Sequence, residues 1–351
     1  MDSIILGSKH YEVKKYTGIP PEAIDFLERI SWGSEGAVYV NMNMKNHIHE
    51  LYNPVLIAIL EKEKIQGTTA FCHTDIKVVD KSYNCYYIKY FAAAKEVRGK
   101  GVAKLITQKV MQSIRAKEAK KTIYFAFVEK ANKASYNVVK SSGYDELGTI
   151  KTIGFSRFFP KWDNRIVNIS DQKEKTQIIK LLSEKYKDHV LVQFNSIFHK
   201  NNYFVIREND EIVAGCQYHK GHWKINKMKG TVGKLIILLA PHLPLIRKIF
   251  NPNKFEFLAF EGIYFKKGYE NDLHKLFEGL LAKEKLNSAL IWMGENCPVR
   301  KNISDFKNLG LIHTFVKDSD VKVMASFNNI DEEVKEIARK NPMYASAFDF
   351  V

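Results

Sequence analysis

"VRGKGVAKLI", residues 97–106, carries two glycines and three basic residues into the start of an amphipathic pattern. Val102, Leu105, Ile106, Val110 and Met111 fall at helical spacing, so a helix is expected from Gly101 onward. Of Arg98, Gly99, Lys100 and Gly101, only glycine is favoured in front of a helix. A helix entered through glycine leaves bare backbone N–H groups that an anion can approach closely. The helix dipole and neighbouring Arg and Lys add to that attraction. Taken alone, the stretch also reads as a tight turn from strand to helix. It is not GxxxxGK[ST], and it is not GxGxxG, because Val102-Ala103-Lys104 follows Gly101.

Working outward, residues 20–30 (PPEAIDFLERI) read as a short helix begun by two prolines. VLIAILE (55–61) and IQGTTAFC (65–72) read as strands paired around a charged turn, and Tyr83 to Ala94 reads as a third strand. Downstream, TIYFAFV (122–128) is a strand, and NKASYNVVKSSGY (132–144) is a helix stopped by Gly143. Strands with helices between them imply a mixed α/β fold, an α+β mixed sheet. The pattern breaks at residues 155–165 and then repeats. A helix over 170–187 is followed by strands YFVIREN and EIVAGCQYH, strand FEFLAFEGIYF, and a helix through Leu273, Leu276, Phe277, Leu280 and Leu281. Strand ALIWMG follows, then a helix ending at Asn308-Leu309-Gly310. The reading is two tandem copies of one fold, residues 1–155 and 165–351, with an insertion at 223–250 that has no counterpart in the first copy.

Bulk composition fits this. A chain of 351 residues suits two domains, and 45% hydrophobic with 26% charged residues is the make-up of a globular protein with a real core. The formal net charge of +15 suits a nucleic acid, an acidic membrane surface, a polyanionic cofactor, or simply a lysine-rich solvated surface. Cys72, Cys85, Cys216 and Cys297 lie far apart with no CxxC pair, so neither a zinc site nor a disulfide framework is expected, and a reducing cytoplasm is the simplest compartment. The opening MDSIILGSKHYEV does not read as a signal peptide. LIILLAPHLPLIRKIF is broken by Pro241, Pro244 and Arg247 and is too short between its breaks to span a bilayer.

Arg98-Gly99-Lys100-Gly101-Val102-Ala103 resembles the acyl-CoA-binding signature of the GNAT superfamily of N-acetyltransferases: Arg or Gln, two residues, Gly, one residue, Gly or Ala. Asn132, Ser135 and the Gly143-Tyr144 pair occupy that family's later landmarks, and the resemblance covers residues 20–155. It implies two tandem GNAT-like domains, the second degenerate, and an N-acyltransferase using acetyl-CoA. The CoA pyrophosphate would rest on the N–H groups of Gly99 to Ala103. Phe91, Ala92 and Ala93 would bond the pantetheine arm from a splayed strand, and Asn132 and Ser135 would line the cofactor. The acceptor would be an amine, on a small molecule or a peptide, bound near residues 31–53 and the junction with the second half.

The pattern departs from the family at its chemistry. Many members carry a tyrosine seven residues after the Asn as a proton donor, but here that position is Val139, with Tyr136 one turn earlier. The central strand segment CYYIKYF holds no carboxylate to act as base, so the catalytic residues stay unassigned. In the second copy, Tyr269, Glu270, Asn271 and Asp272 align with Arg98 to Gly101, which removes both glycines and both cations. His47, His49, His219 and His222 are read as exposed loop histidines rather than metal ligands. Two other functions are compatible with the sequence: a non-catalytic acyl-CoA-binding or sensing protein, and a nucleic-acid-binding protein resting on the basic, aromatic stretches KDHVLVQFNSIFHKNNYF and HWKINKMKG. GKLIILLAPHLPLIRKIF reads as a buried helix pair, with an interfacial segment as the alternative.

Overall fold

The computed structural model describes residues 3–7, 10–34, 36–79, 81–99, 101–306, 308–316 and 319–351; Lys100 lies outside them. The first half of the chain runs β1 (Ser3–Gly7), β2 (Glu12–Thr17), α1 (Pro21–Glu28), β3 (Trp32–Gly33), β4 (Ala37–Asn41), α2 (Met44–His49), β5 (Pro54–Glu61), β6 (Lys64–Val78), β7 (Lys81–Ala93), α3 (Val102–Lys117), β8 (Thr122–Glu129), α4 (Lys133–Ser141) and β9 (Asp145–Ser156). The second half runs β10 (Ile166–Asn168), α5 (Gln172–Lys185), β11 (Val190–Val192), β12 (Tyr203–Glu208), β13 (Glu211–Met228), α6 (Gly230–Leu239), α7 (Pro244–Ile249), β14 (Phe255–Phe265), α8 (Glu270–Glu284), β15 (Ser288–Gly294), α9 (Pro298–Ser304), α10 (Leu311–Val316), β16 (Val321–Asn328) and α11 (Glu332–Lys340). The fold is mixed α/β, and the chain divides into two units.

Unit 1 takes residues 1–76, 81–148 and 321–340. Its strands follow the order β1-β2-β5-β6-β7-β8-β16. The one parallel pairing recorded among them is β7 with β8; β16, from near the far end of the sequence, closes the β8 edge in antiparallel register from Val321↔Glu129 to Asn328↔Thr122. Alternation along β5 sends Leu56, Ala58 and Leu60 to a core shared with Ala23, Ile24 and Leu27 of α1 and Met44 and Ile48 of α2. Ile57 turns the other way, to a core built on Val110 and Met111 of α3 with Tyr124 and Val128 of β8. Helices therefore cover both faces. The apolar stripe of α3 starts later than its spacing implied: Leu105 is 54% exposed, while Val110 and Met111 are buried.

Unit 2 takes residues 77–80, 149–320 and 341–351. Its order is β9-β15-β14-β13-β12-β10, where β9 contributes Ile150–Ser156 against β15. Here too one pairing, β14 with β15, is parallel. Ile178 and Leu182 of α5 and Leu273, Leu276, Phe277, Leu280 and Leu281 of α8 fill its core, with Phe277 stacked on Phe260 at 4.4 Å. The helix expected to end at Gly310 stops at Ser304. Its continuation is pre-empted by β9: the Ser156 N–H donates to the Leu309 carbonyl at 2.9 Å, and Gly310 sits at φ +87° against the Ser156 backbone.

Candidate functional site

Because β7 and β8 run parallel, the loops leaving their carboxyl ends lie at the same edge of unit 1, and each feeds a helix. The two strands pair from Asn84↔Thr122 to Ile88↔Ala126; among the described residues the ladder then stops, although β7 runs on to Ala93 and β8 to Glu129. Tyr90 marks the parting. Its φ of +51° is a conformation bulky residues rarely adopt, and the Thr68 hydroxyl donates to its carbonyl at 2.9 Å. Phe91, Ala92 and Ala93 lie on the diverging end of β7.

The chain then turns into α3. The Arg98 Nε donates to the Ala93 carbonyl at 2.8 Å, which ties the turn to the strand end. Gly99 and Gly101 have φ of +78° and +74°, and a Cβ built on either would meet nothing within 4 Å. Gly101 is the N-cap residue, and the Leu105 N–H donates to its carbonyl at 3.0 Å. Among the described residues no side chain caps the helix, and no acidic residue stands in its first turn, so Val102, Ala103 and Lys104 present N–H groups that the helix itself cannot satisfy. Free N–H groups at a helix N-terminus reached through open space attract negative charge.

Across the opening, α4 begins at Lys133. The Asn132 side chain caps it, its Oδ1 accepting from the Ser135 N–H at 3.0 Å. Asn132 and Ser135 therefore share the edge that holds residues 91–99 and 101–103, and the sequence-derived candidates within the described residues come together there. Val139 and Tyr136 face the core around Met111 and Tyr124. Two cations lie over the Tyr136 ring, Lys322 Nζ at 4.8 Å and Lys140 Nζ at 5.9 Å.

Sequence reasoning missed a carboxylate at this edge. Glu129 ends β8 and its carbonyl accepts from the Asn132 N–H at 2.8 Å. Its side chain folds toward the Gly33 turn, and burial pushes its carboxyl up to about 6, against a hydrogen bond from the Ser34 backbone. The half-buried Tyr39 is pushed up as well, by desolvation and by the Glu129 charge. The available signal was that Glu129 is the one acidic residue of TIYFAFVE. A charge at a strand end ordinarily reads as a solvated terminus.

Two histidines also depart from their expected exposure. His47 is buried in α2, where its Nε2 lies 2.9 Å from Lys89 Nζ, itself buried on β7 between the rings of Tyr87 and Tyr90. With the lysine as donor, His47 accepts at Nε2 and carries its proton on Nδ1. In unit 2, His219 is buried 3.1 Å from Glu261. Burial alone would raise the Glu261 carboxyl, but bonds from His219, Ser196 and Ser346 hold it below the usual carboxylate range, and Ser346 and Phe348 are thereby tied to β14. Both histidines are satisfied by buried partners that lie far off in sequence. Among the described residues, no group of three or more His, Cys, Asp or Glu side chains is arranged to hold a metal ion.

The counterpart of the α3 entrance in unit 2 is built differently. Glu270 and Asp272 occupy the first turn of α8, and Asp272 pairs with Arg165 at 2.8 Å.

The profile of the acetyltransferase (GNAT) family matches residues 24–144, the segment that holds this edge. The match covers 121 of the 351 residues. The likeness in fold takes in both halves of the chain. N-myristoyltransferase of Saccharomyces cerevisiae, solved with bound myristoyl-CoA, is similar over 93% of this chain and 84% of its own, at 9% identity and a TM-score of 0.60. A GCN5-related N-acetyltransferase from Anabaena variabilis is similar over 90% of this chain and 73% of its own, at 11% identity and a TM-score of 0.50. At these identities the fold is what is shared. No curated protein matches the sequence.

Proposed function

We propose that this chain transfers an acyl group, acetyl in the first instance, from its CoA thioester to the amine of a small molecule or peptide, with unit 1 as the catalytic unit. The observation that carries the reading is the uncapped, basic N-terminus of α3, entered through two left-handed glycines beside a parting strand pair. The thioester supplies an activated acyl group. The α3 N–H groups, Arg98 and Lys100 would hold the diphosphate; the free edge of Phe91 to Ala93 would hold the amide-bearing arm; Asn132 and Ser135 would flank it from α4. Glu129, whose carboxyl is raised to about 6, is ionised at neutral pH and would take the proton that the amine nitrogen gives up as it bonds to the thioester carbonyl carbon and the thiolate leaves. Tyr136, one helical turn before Val139, is the candidate substitute for the tyrosine missing there, and its ring lies under two cations. Tyr136→Phe should slow transfer by about tenfold or more if that hydroxyl protonates the departing thiolate. Equal steady-state rates for the two proteins would remove Tyr136 from the mechanism.

The reading is tested by following thiol release from CoA esters, acetyl through myristoyl, against a panel of amines. Amine-dependent release is expected. Tight binding of the esters with no release to any amine would instead make the chain a non-catalytic acyl-CoA-binding protein. Salt-sensitive RNA binding without CoA binding would make it a nucleic-acid-binding one. Calorimetry should count one CoA per chain, because Glu270 and Asp272 put negative charge where unit 2 would need bare N–H groups. Two equivalent sites would contradict that assignment.

A further inference from the structure

The sequence from Ile212 to Phe255 contains eight Lys and Arg residues and no Asp or Glu. Its middle forms α6 and α7, joined through a short turn at Ala240–His242. This hairpin is not the buried helix pair its sequence suggested. Gly233, Ala240, Ile249 and Phe250 face inward, Phe250 against Phe255 and Phe315, and the Ser288 hydroxyl holds the Ile249 carbonyl at 2.6 Å. Val232, Leu235, Leu238, Leu239, Leu243 and Leu245 all face outward, with Val232 70% and Leu238 64% exposed. Phe159 is 68% exposed and lies under Lys248 Nζ at 4.8 Å, so it extends the same surface. Of the eight cations, Lys220 and Lys254 pair with Glu284 and Glu256; the other six make no ion pair among the described residues.

We infer that the α6–α7 hairpin docks unit 2 on an anionic lipid surface. A cluster of exposed aliphatic side chains of this kind marks an interaction surface. Three features select its occupant. The exposed residues are chiefly aliphatic, which suits fluid hydrocarbon; protein hot spots favour Trp, Tyr and Arg. The cations interleave with the leucines, and long Lys and Arg stems allow the head group to reach phosphate while the aliphatic part stays with the acyl chains. Two copies of a hairpin carrying the same positive charge would repel each other across a symmetric contact, which disfavours a second copy of this chain. Spanning is excluded for this segment: α6 has 10 residues, about 15 Å of helix, against roughly 30 Å of hydrocarbon. The hairpin lies on the surface, with Val232, Leu235, Leu238 and Leu243 inserted at the head-group boundary.

The test is co-sedimentation of the full chain with vesicles of phosphatidylcholine containing about 30 mol% phosphatidylserine, a typical strongly anionic surface. Binding is expected, weakened at least about tenfold on pure phosphatidylcholine and similarly by high salt. Leu235→Asp with Leu238→Asp should lower the partition by about tenfold or more, with an unchanged circular dichroism spectrum, since both side chains are already in water. Lys229→Glu with Lys234→Glu should remove the preference for anionic vesicles while leaving the aliphatic face intact. Failure of the wild-type chain to sediment with anionic vesicles overturns the inference, as does equal binding by the aspartate variant. So does a stable dimer in light scattering that the aspartate variant abolishes, which would assign the face to a second copy.

Discussion

Gly101→Glu is expected to weaken CoA binding at least about a hundredfold, which corresponds to roughly 2.7 kcal/mol, while leaving the chain folded. Gly101 stands at φ +74° with open space where a Cβ would go, so the substitution meets no steric wall. Its folding cost is that of a left-handed non-glycine residue, about 1–2 kcal/mol, which a domain of ordinary stability absorbs. Binding suffers twice. The side chain fills the volume through which a diphosphate would reach the α3 N–H groups, and its carboxylate opposes the phosphates at a distance where like charges cost several kcal/mol near a surface, about 4 at 4 Å. Gly101→Asn separates the two effects, because Asn tolerates the left-handed region and carries no charge; a loss nearer tenfold is expected. Isothermal titration with acetyl-CoA measures both. An unchanged dissociation constant in the glutamate variant would falsify the assignment of the α3 N-terminus.

Glu129→Gln is the second large effect, and it runs in opposite directions for activity and stability. Loss of a general base lowers kcat by about 10²-fold or more. The wild-type kcat/KM should rise with pH through about 6 and level off above it, and the glutamine variant should lack that limb. For stability, the folded carboxyl sits near 6 against an ordinary 4.5, so the unfolded chain loses this proton first as pH rises. The stabilisation from burying the neutral form is complete below about 4.5 and is gone once pH has passed through about 6. At pH 8 the wild type therefore holds a charge in a half-dry site. The neutral glutamine relieves it, for a gain of up to about 2 kcal/mol and a higher melting temperature. A variant that is both slower and more stable at pH 8 has the signature of a functional carboxylate; one that is slower and less stable has only lost a structural bond.

Much of the edge around the parallel strand pair was readable beforehand because its signals are local. Glycines entering an amphipathic run, a strand of small residues before them, and an Asn three residues ahead of a Ser each act within a few positions, and the backbone of residues 91–99, 101–103 and 132–135 follows them. What escaped the sequence depends on distant partners. The environment of Glu129 is made by a turn near Gly33, almost a hundred residues earlier. His47 is buried because Lys89 is there to hold it, and His219 because of Glu261. Period-two patterning reports that a segment is a strand but says nothing about its neighbour, so nothing in VKVMASFN announced that β16 would lie beside β8. The aliphatic run of α6 failed for a different reason. Apolar composition implies burial only where something covers it, and Val232 and Leu238 are left facing water.

The reach of β16 back to β8 has a consequence for how the protein is made. The paired residues are separated by about 200 positions, which at a ribosomal rate of 5–20 residues per second is on the order of 10–40 seconds of synthesis. Throughout that interval β8 has been translated and its final neighbour has not. The nascent chain therefore carries an unfinished β edge, open to pairing with other nascent chains or to capture by a chaperone, until β16 has been made.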